Sequence, residues 1–136
     1  MPSTPRPVYR NIGIDQIVKY RLPPAGIVSI LHRVSGAVMF VLLPFVIWMF
    51  DTSVSSEISF DRFSAAFHGP MGWFVKLVAL ALLWAYLQHL FAGVRHLWMD
   101  ATHSVSKAQG RMSALVTLVL TGVLTLLLGA KLFGLY

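Results

Sequence analysis

Apolar residues gather in three long runs, at 34–50, 77–94 and 113–130, separated by polar stretches at 1–23, 51–72 and 100–111. Each run is 17 or 18 residues long, near the lower limit for a helix crossing a hydrocarbon core about 30 Å thick. The second run is interrupted only by Gln88 and His89, and the third carries scattered Thr and Gly with no polar stripe. A helix of a soluble bundle would show a polar face, whereas small residues scattered on an apolar helix suit packing against lipid and other helices. The pattern predicts an all-α membrane protein with three transmembrane helices, at about 24–50, 72–99 and 110–134. Pro23-Pro24 marks the first start, because proline suits a first helical turn and disrupts an interior. Lys76 and Lys131 border the second and third runs, where their stems can snorkel to the interface. Residues 1–23 are expected as an irregular or surface-lying arm, and 51–72 as a polar loop.

Composition agrees with the pattern: 57% of the 136 residues are hydrophobic and 12% charged, against about 25% charged in ordinary soluble domains. There is room for one domain, 1–136. The absence of cysteine rules out disulfides and any iron–sulfur cluster held by this chain's own thiolates. The net charge of +6 does not point to nucleic acid, because the cations border the apolar runs. Arg6, Arg10, Lys19, Arg21 and Arg33 precede or open the first helix, and Arg95, Lys107 and Arg111 lie in the second connection; the first connection has only Arg62 against Asp51, Glu57 and Asp61. The bias of basic residues toward the cytoplasmic side places the N-terminus in the cytoplasm and the C-terminus in the periplasm. Trp48, Trp73 and Trp98 fall near the predicted helix ends, as interface aromatics do. No signal peptide is visible, and the start makes a poor transit peptide; a bacterial inner membrane is the expected location.

His89 is the most informative position. It lies six residues before Arg95, roughly 9 Å along a helix from that boundary, a depth at which an ionisable group rarely faces lipid. Ala85, Ala92 and Gly93 keep its face small, and His96 and Asp100 continue that face. Such a face admits a flat cofactor such as haem, or equally a neighbouring helix. A second set, Ser29, His32, Arg33 and Gly36, shares one side of the first helix. A hydroxyl, an imidazole and a guanidinium together can hold a polar head group; the bland alternative is an interface anchor, with arginine reaching lipid phosphate. The two sets fit one model, in which His89 ligates haem and His32, Arg33, Arg95 and His96 serve its propionates. His68 and His103 fall in expected loops and carry no assigned role. No Gly-rich phosphate loop, nucleophile–base pair or zinc-ligand spacing is found.

These residues form two ordered signatures. One is Arg6-Pro7 followed by Ser29, His32, Arg33 and Ser35; the other is His89, Gly93, Arg95, His96 and Asp100. With them the chain resembles the cytochrome b membrane-anchor subunits of bacterial succinate dehydrogenase, respiratory complex II, over essentially its whole length. The resemblance implies that His89 is an axial ligand of haem b and that Ser29 and Arg33 line the ubiquinone site. It places His32 near the haem propionates and quinone, and His96 in the haem neighbourhood. A second small anchor subunit would supply the other axial histidine, a flavoprotein would oxidise succinate, and an iron–sulfur protein would pass electrons to quinone. The expected function is therefore that of a subunit, not catalytic alone, in electron transport and the tricarboxylic acid cycle. A fumarate reductase anchor, a purely structural anchor and a transporter subunit are the alternatives. The segment between Pro7 and Ser29 is longer than in the nearest family pattern, and Thr102 stands where a smaller residue is usual.

Overall fold

The computed structural model describes residues 13–136, and all its regular elements are helices: α1 (Ile14–Lys19), α2 (Pro24–Val41), α3 (Leu43–Val54), α4 (Glu57–His68), α5 (Gly72–Thr102) and α6 (Lys107–Leu132). Arg6, Pro7 and Arg10 lie outside the described residues. Three helices, α2, α5 and α6, are long and apolar enough to cross a membrane. α5 and α6 contain the second and third apolar runs and α2 the first part of the first, as expected where, with no water to satisfy the backbone, a lipid-embedded segment must close its hydrogen bonds internally.

The arm and the first span depart from expectation. Residues 14–19 form a short helix within a segment expected to be irregular. The span expected as one helix at 24–50 is two. It begins with Pro24 in the first turn, where Gly26 and Ile27 donate to the Pro23 carbonyl at 2.8 and 3.1 Å. It is interrupted at Leu42 (φ −87°, ψ 3°) and resumes as α3. Pro44 is the cause: it lacks an N–H and its ring crowds the carbonyl four residues back. The polar loop expected at 51–72 is mostly helical as well. A reciprocal pair starts α4, with the Ser59 amide donating to Ser56 Oγ at 3.1 Å and the Ser56 amide to Ser59 Oγ at 2.8 Å. Phe60, Phe63 and Phe67 then stack along it, with ring centroids 6.0 and 5.1 Å apart. Glu57, Asp61 and Arg62 dilute this apolar face in sequence, which is why a hydropathy reading misses it. The turn into α5 requires Gly72, since a Cβ there would strike the Phe67 carbonyl.

α5 extends to Thr102, and its C-cap His103 adopts the left-handed conformation (φ 54°). α6 starts earlier than 110 because Ser106 and Gln109 form a capping box. Val28, Ala92 and Ala114, one each from α2, α5 and α6, make the buried core, with Ala25 and Leu118 against it. The core is small because lipid is as apolar as the helices, so close packing of small residues replaces the hydrophobic drive. α3 buries no residue, whereas α2, α5 and α6 pack on one another throughout.

Candidate functional site

α2 and α5 run antiparallel, and Gly36 lets them close, with Gly93 facing the same gap. A Cβ on Gly36 would lie 3.2 Å from His89 Cε1, and one on Gly93 would lie 3.8 Å from His32 Nε2. The opposed steps of four residues, 32 to 36 and 93 to 89, set the register. In that gap the His32 and His89 rings stack, with centroids 4.1 Å apart and 25° between planes. The His96 ring is tilted 52° against His32 at 5.4 Å.

Hydrogen bonds fix the state of His89. Its Nδ1 lies 3.1 Å from the His32 carbonyl oxygen and 3.3 Å from Ser35 Oγ. The Ser35 hydroxyl donates its own proton to that carbonyl at 2.8 Å. A carbonyl can only accept, so Nδ1 carries the proton and shares it between the two oxygens. In the neutral ring this tautomer leaves the lone pair on Nε2, which has no hydrogen-bond partner among the described residues. Ring orientation and tautomer are thus set by backbone and hydroxyl, the usual device for holding a metal-ligating imidazole. His32, His89 and His96 do not themselves converge on an ion, and no group of three metal-ligating side chains forms among the described residues.

The remaining residues divide. Ser29 is half-buried one turn before His32, and Arg33 is exposed on the same helix; neither contacts His89. Arg95, grouped with the propionate cations in the sequence reading, is committed elsewhere. It is 7% exposed, its Nε donates to Ser113 Oγ at 3.0 Å and its Nη2 to the Gly110 carbonyl at 3.2 Å. It ties α5 to α6. His68 closes the last turn of α4, with Nδ1 2.9 Å from the Ser64 carbonyl. Asp100 and His103 are exposed. Sequence reasoning gave Ser35 no role beyond its place in a signature, although it is fully buried and touches both histidine groups. Its spacing of three from His32 was the available signal.

Three apolar spans, two of them bringing His32, His89 and His96 together, define a helical membrane protein with a histidine cluster between its helices. Comparison with known proteins narrows the class. Residues 4–128 match the succinate dehydrogenase/fumarate reductase transmembrane subunit family. The chain is 36% identical over 121 residues to the succinate dehydrogenase cytochrome b556 subunit of Coxiella burnetii, covering 88% of this chain and 94% of that one. It is 31% identical over 111 residues to the subunit of the same name from Paracoccus denitrificans, covering 79% and 83%. The chain belongs to this transmembrane-subunit family, among the cytochrome b anchors of succinate dehydrogenase.

Proposed function

We propose that the chain holds haem b through His89 Nε2 and forms part of the site where ubiquinone is reduced. The observation that carries this reading is the Nδ1–H bond of His89 to the His32 carbonyl, which leaves Nε2 available. The donor set fits haem: a neutral imidazole with a fixed tautomer beside a face kept small by Gly36 and Gly93. Haem b, when bound, supplies an iron that takes up and returns single electrons. Two curated relatives carry the name cytochrome b556 subunit, in keeping with such a group.

This chain's other residues hold and polarise. His32 stacks on the His89 ring, and His96, tilted against His32, serves as a donor toward propionates. Ser29 donates to a quinone carbonyl oxygen. Arg33, exposed and without an ion-pair partner among the described residues, stabilises the negative charge that develops on the quinone as electrons arrive, an electrostatic role strongest in a dry site. A second small anchor subunit would supply a further histidine to the haem and cover this face, and an iron–sulfur subunit, fed by a flavoprotein that oxidises succinate, would pass electrons to the quinone. The N-terminus is cytoplasmic, the C-terminus periplasmic, and the membrane is the bacterial inner membrane.

A reduced-minus-oxidised spectrum of the purified complex tests the reading. Cytochrome b bands are expected in the wild type and are lost in His89→Ala while the helices remain inserted. Absence of those bands in the wild type would leave a structural anchor whose histidines only pack.

A further inference from the structure

On a face of α5 formed by Phe91, Val94 and Trp98, away from the face carrying His89, a groove of about 490 Å3 runs between α5 and α6. Met112, Val116 and Leu120 of α6 complete its apolar walls, and Ser104 and Gln109 mark its polar end at the turn between the helices. It follows α5 from Phe91 to Met99, eight residues or about 12 Å. Its walls are apolar along that length, as an acyl chain requires.

The charge on the groove identifies the head group. Arg95 forms part of its wall and is more than nine-tenths buried. It spends one N–H on Ser113 and one on Gly110, and no carboxylate reaches it among the described residues. A guanidinium always carries its proton and has five N–H donors, so an uncompensated positive charge with spare donors lies on the groove. A buried charge is costly unless it is paired. Lys107 and Arg111, both exposed, line an adjoining hollow that shares Met112 with the groove. Against these three cations the stretch from 95 to 111 carries one acid, Asp100.

We infer that the α5–α6 groove binds an anionic phospholipid, its acyl chain lying along Phe91, Val116 and Leu120 and its phosphate at the turn, neutralised by Arg95, Lys107 and Arg111. The site is independent of the histidine cluster and does not rest on haem.

The test is lipid exchange on the intact succinate dehydrogenase complex, read by native mass spectrometry. Phosphatidylglycerol is titrated against phosphatidylcholine of the same acyl composition. The wild type is expected to prefer the anionic lipid about tenfold or more for one retained site, since each basic residue at the surface adds severalfold. Lys107→Gln/Arg111→Gln is expected to cut that preference severalfold while leaving a retained lipid. Val116→Trp, which fills the slot without touching a charge, is expected to remove the retained lipid altogether. Equal retention of the two lipids by the wild type would overturn the inference. So would an anionic lipid whose retention survives Val116→Trp, or a carboxylate of another subunit found paired with Arg95.

Discussion

Removing the Ser35 hydroxyl tests how the imidazole is held, and its size follows from the geometry. Ser35 Oγ takes a share of the His89 Nδ1 proton at 3.3 Å, while the His32 carbonyl takes the larger share at 3.1 Å. A net hydrogen bond contributes about 0.5–1.5 kcal/mol. Because the carbonyl stays in place in Ser35→Ala, the loss belongs in the lower half of that range, about 0.5–1 kcal/mol. An acceptor on Nδ1–H makes the imidazole more basic, which favours the oxidised iron. Weakening it therefore raises the reduction potential. Only the part of that energy that differs between the two oxidation states moves the potential, so with about 59 mV and about 1.4 kcal/mol per tenfold change in a one-electron couple the expected rise is at most about 20–40 mV. A redox titration of the cytochrome b band in the purified complex measures it, with haem content per protein determined in parallel. Ser35→Thr keeps the hydroxyl and should restore the wild-type potential. An unchanged or lowered potential in Ser35→Ala at full haem content would refute the shared-proton argument.

Three other substitutions probe separate parts of the chain. In Gly36→Val the Cβ alone comes within 3.2 Å of His89 Cε1, and overpacking of about 1–3 kcal/mol should displace the ring and lower haem content about tenfold, measured as haem per protein. Arg33→Ala should cut ubiquinone reduction about tenfold or more, a loss expected where a donor stabilises developing charge. Succinate oxidation with a soluble acceptor should persist in the same preparation. Arg95→Leu removes two charge-assisted bonds to α6 but recovers part of the desolvation of a buried cation. A net destabilisation of about 1–2 kcal/mol is expected, seen as a lowered thermal midpoint of the complex, with haem content preserved in the fraction that stays folded.

The three spans are legible in the sequence because a bilayer imposes its thickness directly on residue count. The break at Leu42 is less so. Pro44 sits inside an apolar run whose hydropathy is unaffected by the missing N–H, so a signal of composition conceals a fault in hydrogen bonding. α4 is hidden for the opposite reason: its caps and phenylalanines are local, while its acidic residues make the segment read as loop. For the site, His32, His89 and His96 can each be singled out on their own helices. Their meeting depends on the register of α2 against α5, where Gly36 packs directly against the His89 ring across the bundle. Arg95 shows the limit of this kind of reading. Helix periodicity gives its direction to within a turn, but it cannot show that Ser113 and the Gly110 carbonyl, 18 and 15 residues later in the chain, claim the guanidinium.

The interruption at Leu42 also divides the chain by how much substitution each part can bear. Up to that point α2 is gripped by two neighbours, and single methyl groups matter at Gly36. Beyond it, α3 buries nothing and asks of its side chains only that they be oily and helical. Within this chain, substitutions in α3 are therefore expected to cost less than those along the preceding helix, with a proline marking the frontier between them.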